Sequence, residues 1–214
     1  PDWNLANFMA IPLLTMAREH RDDLATGRME GIEAAIRRAV GAVRRRDCPL
    51  TYSNIVACET YVTIIAGELF GDDDLVAFGR DKLKRFRDLT AAFGSFSEYN
   101  SPDYYRIALR QLAHLQQDSL DEEARALAAE LAAIGWENLA VRFHPPTRQC
   151  AGPHSRSYST LLKPELIAFI QTGLDGTARW LTDDQLPASD LSAHRDRPGT
   201  CPAALRARFV RQDF

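Results

Sequence analysis

Two polar segments of the chain concentrate side chains able to do chemistry. The first, Phe93 to Tyr105, reads FGSFSEYNSPDYY and packs Glu98, Tyr99, Asn100, Asp103, Tyr104 and Tyr105 into eight positions. The second, RFHPPTRQCAGPHSRSYS, carries His144, Arg148, His154, Arg156 and Tyr158. Asn, Tyr, His and Arg make a poor metal set, because hard cations want several carboxylates and zinc wants more His or Cys. Ser155 neighbours His154, but adjacent residues rarely align as nucleophile and base, and no strained-elbow signature accompanies them. A phosphate loop of the form G-x-x-x-x-G-K-[ST] is missing too, so neither a metal nor a cofactor is expected. Removing a proton α to a carboxylate suits the inventory better. That step needs the carboxylate neutralised, by an Asn amide, His or Arg, and a base such as Tyr or His held at the carbon acid. A tyrosine can then return a proton to a departing glycosidic oxygen, which is the chemistry of uronate β-elimination. A structural reading competes: Asn100 and Ser101 cap a helix, the tyrosines fill gaps, and Gly152 and Pro153 turn the chain.

Composition sets the frame for these segments. The chain has 214 residues, enough for one ordinary domain with a sizeable core. With 26 Lys and Arg against 29 Asp and Glu the net charge is −3, which argues against a nucleic-acid binder relying on global positive charge. Hydrophobic residues make up 45% and charged residues 26%, the balance of a globular protein rather than a disordered one. Apolar runs fall short of the ~20 residues that cross a bilayer. The sequence opens at Pro1 without a Met, so a start, leader or upstream domain is expected to lie outside it. Cys48, Cys58, Cys150 and Cys201 show no C-x-x-C pairing and read as free, partly buried thiols.

The elements that must position the two segments are helical almost throughout. Trp3 to His20 is largely apolar around Pro12. Met29, Ile32, Ile36, Val40 and Val43 recur at three- and four-residue steps, and the arginines at 44–46 suit a helix C-terminus. A helix restarts near Tyr52 with the stripe Ile55, Cys58, Val62, Ile65 and Leu69. Asp72 to Asp74 lack the alternation, central Gly and closing Glu of a calcium loop and read as the cap of the next helix. Its stripe is Leu75, Phe78, Leu83, Phe86, Leu89 and Phe93, closed by Gly94. Ser101-Pro102-Asp103 reads as N-cap plus first-turn Pro. Further helices follow from Pro102, from Asp121 and from Pro164 to about Leu174. The fold class is therefore all-α: about seven helices as antiparallel hairpins in a domain over 1–175, then an extended or weakly ordered tail over 176–214. One hairpin separates the two polar loops, so both emerge on one rim of the array.

The hairpin organisation together with SEYNSPDYY and GPHSRSY resembles the α/α-toroid domains of carbohydrate-active enzymes, especially the heparinase II/III-like polysaccharide lyases. The resemblance covers about Trp3 to Leu174 and implies a partial toroid. It implies Asn100 as the group neutralising the uronate, His154 and Tyr158 as the proton-transfer pair, Tyr104 as the alternative base and Arg156 as a helper at the carboxylate. Glu98, Tyr99 and Arg148 complete the substrate contacts on the same rim. The implied partner is a polysaccharide or oligosaccharide, and an extracellular or periplasmic location follows only from that substrate. About three and a half hairpins would leave an open half-ring. The apolar face of the helices at Tyr52–Leu69 and Pro102–Leu115 is then expected to meet missing sequence, a partner chain or another copy. Two other functions compete: a glycoside hydrolase using Glu98 and Asp103, and a non-catalytic helical module binding glycan or protein. A terpene-cyclase type is remote, since the aspartate cluster lacks the helical metal-binding context.

Overall fold

The computed structural model describes residues 4–159, 161–182 and 199–211. The chain is all-α. Six long helices come first: α1 Leu5–Glu19, α2 Thr26–Arg46, α3 Ser53–Phe70, α4 Asp73–Phe93, α5 Pro102–Asp118 and α6 Glu122–Arg142. A two-residue antiparallel ribbon follows, Phe143–His144 (β1) with Gln149–Cys150 (β2), where the sequence pattern shows no strand. Then come α7 Pro164–Gly173, α8 Ala203–Arg206 and a 3-10 turn, Ala207–Phe209. Local signals account for the boundaries. Asp72 and Asp121 each accept a hydrogen bond from the backbone N–H three residues on, at 3.0 Å. These caps satisfy N–H groups that helix geometry leaves orphaned. Gly71 and Gly94, both at φ 65°, end α3 and α4.

The long helices pair as the hairpins α1–α2, α3–α4 and α5–α6, and the hairpins stack in one orientation. Glu59 meets Lys82, and the backbone near Thr63 and Gly67 meets Gly79 and Val76, so α3 and α4 run antiparallel. Tyr61 meets His114, and Glu68 accepts from Ser119, so α3 and α5 run parallel. Arg18 at the end of α1 pairs with Asp118 at the end of α5. Thus α1, α3 and α5 start on one rim, where α2, α4 and α6 finish. A Cβ on Gly79 would lie 2.4 Å from Thr63 Oγ1, and one on Gly67 would lie 2.6 Å from Val76, so the α3–α4 contact is as close as it is because both are glycine.

Every residue of α3 from Ser53 to Gly67 is buried, since α1, α2, α4 and α5 surround it. This corrects the expectation that missing sequence, a partner chain or another copy covers the apolar face of the Tyr52–Leu69 and Pro102–Leu115 helices: the chain covers that face itself, and α5 packs on α6 at its far side. Four exposed apolar residues lie on α1, at Leu5, Phe8, Met9 and Met16. Phe93 is also exposed, and Phe96 takes the buried place beside Phe86 and Tyr105. The chain beyond Asp175 contributes Ala178, Leu181, Cys201 and Phe209 to the core, so the packed body extends past the boundary expected at 175. Residues 183–198 and 212–214 of that expected tail lie outside the described residues. All four cysteines are free, with Cys48, Cys58 and Cys201 buried. No helix among the described residues is long and apolar enough to cross a membrane.

Candidate functional site

The shared rim brings the two polar loops into direct contact. Asn100 sits in the left-handed region at φ 48°, which its short amide tolerates. Its Nδ2 donates to the carbonyls of Ala151 and Pro153 at 2.8 and 2.7 Å. In return its own carbonyl lies 2.8 Å from His154 Nδ1. A carbonyl can only accept, so Nδ1 carries the hydrogen, which leaves Nε2 as the ring nitrogen able to give up or accept a proton. Ser155 N–H donates to Tyr99 O at 3.1 Å, and Tyr158 N–H to the Asp103 carboxylate at 3.2 Å. Ser101 does not cap α5 with its side chain; its hydroxyl donates to the Arg156 carbonyl instead. Asn100, expected as the uronate neutraliser, is thus a latch between loops: both of its amide hydrogens already have partners.

Beside the latch lies a cleft of about 270 Å³ lined by Thr51, Tyr52, Ser97, Glu98, Ser155 and Arg156. Glu98 is 6% exposed and is held at the N-terminus of α3, where the Asn54 N–H donates to its Oε2 at 2.8 Å. The orphan N–H groups and positive dipole end of α3 favour a carboxylate there. Burial nevertheless pushes the Glu98 carboxyl above the usual range, with the Asn54 N–H and Arg156 pulling the other way. Arg156 Nη1 lies 3.4 Å from Glu98 Oε1, and its guanidinium carbon sits 4.7 Å above the Tyr104 ring centre. That side chain remains half exposed, so the carboxylate and the ring hold it at the mouth without enclosing it. Tyr104 is buried, and its hydroxyl lies 2.7 Å from that of the exposed Tyr158. Burial and the Tyr158 hydrogen bond push the Tyr104 phenol up to about 12, so it keeps its proton at neutral pH.

Two expected contacts fall outside this arrangement. Arg148 Nη1 donates to the Trp180 carbonyl at 3.0 Å, on the side where Pro145, Pro146, Trp180 and Val210 line a separate cleft. Tyr99 is turned to Arg142, whose Nη2 donates to its hydroxyl at 2.6 Å and whose guanidinium covers its ring. Asp103 is tied to the Tyr158 backbone and does not line the cleft with Glu98; His154, Tyr104 and Tyr158 also lie outside the lining, next to its residues Ser155 and Arg156. Thr51, Tyr52 and Ser97 line the cleft although their sequence context read as helix start and connector. The run Thr51-Tyr52-Ser53-Asn54 ahead of an apolar helix was the signal that could have found the first two.

Behind the rim, Lys82 Nζ lies 2.9 Å from Glu59 Oε1 and 2.7 Å from Asp47 Oδ1, while Glu59 Oε2 accepts from the Cys48 N–H at 3.1 Å. This group, buried at Lys82 and Glu59 and exposed at Asp47, ties down the start of the 47–52 segment that carries the Thr51–Tyr52 wall of the cleft. Among the described residues no three His, Cys, Asp or Glu side chains gather as a metal site.

No curated protein and no solved structure matches the chain. A family model described as a domain of unknown function (DUF8769) matches residues 1–181, which include both loops of the site, and the chain belongs to that family.

Proposed function

We propose that the cleft binds a uronate-containing glycan and cleaves it by β-elimination. The observation that carries this reading is the placement of Arg156, held by Glu98 and the face of Tyr104 at the cleft mouth, beside the Tyr104–Tyr158 phenol pair. Arg156 replaces Asn100 as the group that meets the uronate carboxylate, and its preset position suits charge that grows as the proton leaves C5. His154 Nε2 takes that proton. The C5 electron pair forms the C4=C5 bond as the C4–O4 bond breaks, and O4 receives a proton from Tyr158. Tyr104, protonated at neutral pH, donates to the Tyr158 oxygen and leaves the Tyr158 hydroxyl hydrogen free for that transfer. The step is redox-neutral and consumes no water. The stacked hairpins and the resemblance to α/α-toroid lyases are in line with this reading.

A glycoside hydrolase on the same rim needs two carboxyls facing one sugar. Glu98 lines the cleft, but the Asp103 carboxylate is engaged by the Tyr158 backbone N–H, which ranks hydrolysis below elimination. The test follows the ultraviolet absorbance of the unsaturated uronate over a panel of uronate polymers. Arg156→Met is expected to lower kcat/KM by about 10²–10³, and Tyr158→Phe by about 10²–10⁴. Tyr158 is 74% exposed, so its variant is expected to fold like the parent. Reducing ends appearing without the chromophore would transfer the chemistry to Glu98 and hydrolysis. Glycan binding without either product would make the rim a binding module.

A further inference from the structure

Resting on the glycan reading of the same cleft, we infer that it selects uronate polymers that are not sulfated, with Glu98 as the residue that excludes sulfate. Three observations converge on that selection. First, Glu98 cannot swing aside. Its Oε2 is held by the Asn54 N–H at 2.8 Å, its backbone N–H is 3.4 Å from Ser53 Oγ, and its side chain is 6% exposed. Second, its Oε1 has acceptor capacity to spare while lining the cleft. The Arg156 contact at 3.4 Å is long for a bond between guanidinium and carboxylate, which ordinarily closes to about 2.7–2.9 Å. A sugar hydroxyl can donate to that oxygen. A sulfate group has only acceptor oxygens, so the same position sets two anions against each other. Third, the cationic side of the lining is a single guanidinium already shared with Glu98. One substrate carboxylate matches it, whereas a sulfate on the same residue would find no second cation among the lining side chains.

The remaining wall fits the same ligand. Thr51, Ser97 and Ser155 present hydroxyls, each able to donate and accept, as sugar hydroxyls require. Tyr52 adds a half-exposed ring at the edge. Sulfated polymers instead call for several arginines or lysines converging on one sugar, a pattern opposite to a lining with one carboxylate and one guanidinium. Like-charge opposition of this kind costs wrong partners heavily in specific interfaces, so a discrimination of about a hundredfold is expected.

The test uses the whole chain and matched polymers: chondroitin with and without 4- and 6-O-sulfate, and alginate with and without chemical sulfation, at one ionic strength. Turnover is read as unsaturated uronate and binding by titration calorimetry. The expected result is that kcat/KM for the unsulfated member exceeds that for its sulfated twin by about a hundredfold. Glu98→Gln should shrink the ratio, because its amide donates to sulfate. Should Glu98→Gln fail to fold, Ser97→Arg makes the same test by adding a cation to the lining, and it should raise use of the sulfated twin. Equal or preferred cleavage of the sulfated members by the parent chain overturns the inference while leaving elimination standing. Tighter binding of the unsulfated members with no unsaturated product keeps the inference and removes the lyase. Absence of both binding and cleavage across the two pairs overturns both.

Discussion

Asn100 ties the Ala151 and Pro153 carbonyls to loop one and offers its own carbonyl to His154, so one residue fixes both the path of loop two and the tautomer of a histidine. Replacing it with Ala removes two hydrogen bonds, leaves two carbonyls without that donor, and places a Cβ-bearing residue without a stabilising amide at φ 48°. Asn100→Ala is therefore expected to cost about 1–3 kcal/mol in urea unfolding. Asn100→Asp should cost at least as much, since a carboxylate would face the same two acceptor oxygens. Activity would fall as well, because His154 loses its anchor. Unchanged stability together with lost turnover would instead return Asn100 to the role of carboxylate neutraliser. The types of residue at the site were legible in sequence, because a His, an Asn and several Tyr in two loops one hairpin apart must meet on one rim. Their division of labour was not. Whether an amide faces a ligand or two backbone carbonyls depends on the path of the opposite loop, which local sequence does not specify.

At the scale of elements, α3 and α4 are joined by a close glycine-mediated approach and by one internal ion group. Lys82 and Glu59 are both almost fully buried, and Lys82 also reaches Asp47, whose carboxyl it holds below the usual range. Burial raises the Glu59 carboxyl while Lys82 and the Cys48 N–H oppose that rise. A buried charge that loses its partner is far more costly than the intact pair is favourable. Lys82→Met is expected to destabilise the fold by about 3–5 kcal/mol. The double variant Lys82→Met, Glu59→Gln should recover part of that loss, which a double-mutant cycle in urea would measure. Additive losses would show that the two side chains do not act as a pair. The sequence signalled α2 well: of its stripe Met29, Ile36, Val40 and Val43 are buried, and Ile32 is partly buried against the core. It signalled part of α3: Ile55, Cys58, Val62 and Ile65 are buried as read. One stripe does not show that the helix is enclosed on all sides, with Glu59 buried against a lysine 23 positions on. Phe93, expected inside, closes α4 exposed; Gly94 then turns the chain at φ 65°, and Phe96 from the loop takes the place against Phe86.

At the scale of the molecule, the end of the described chain closes the core rather than trailing from it. Trp136 on α6 stacks with Phe169 on α7 at 6.1 Å and meets the edge of Phe209 at the same distance. Phe209 also lies 5.3 Å from Phe143, which stacks on Trp180 at 4.8 Å. The Cys201 N–H donates to the Gly173 carbonyl at 2.8 Å, securing the approach of the segment to α7. Composition rich in Asp, Pro and Arg masked this docking, since the buried Ala178, Leu181, Cys201 and Phe209 among the described residues make no periodic pattern. Phe209 is fully buried, and truncating such a ring in a packed cluster costs about 3–5 kcal/mol. For a chain of this length each kcal/mol moves the melting temperature by about 2–4 °C. Phe209→Ala should accordingly lower Tm by roughly 6–20 °C, provided the segment and the bundle unfold as one unit. Local release of residues 199–211 is the competing response, because a short segment can open without the rest of the fold. Hydrogen exchange separates the two. Global coupling would speed exchange in α6 and α7 along with 199–211, whereas local release would expose 199–211 alone and leave Tm within a degree or two of the parent. The burial of Trp136 and Phe143 beneath Phe209 favours the coupled response, since opening the segment wets both rings at once. An unchanged melting temperature with unchanged exchange in α6 would show that the terminal segment is an appendage to a core complete without it.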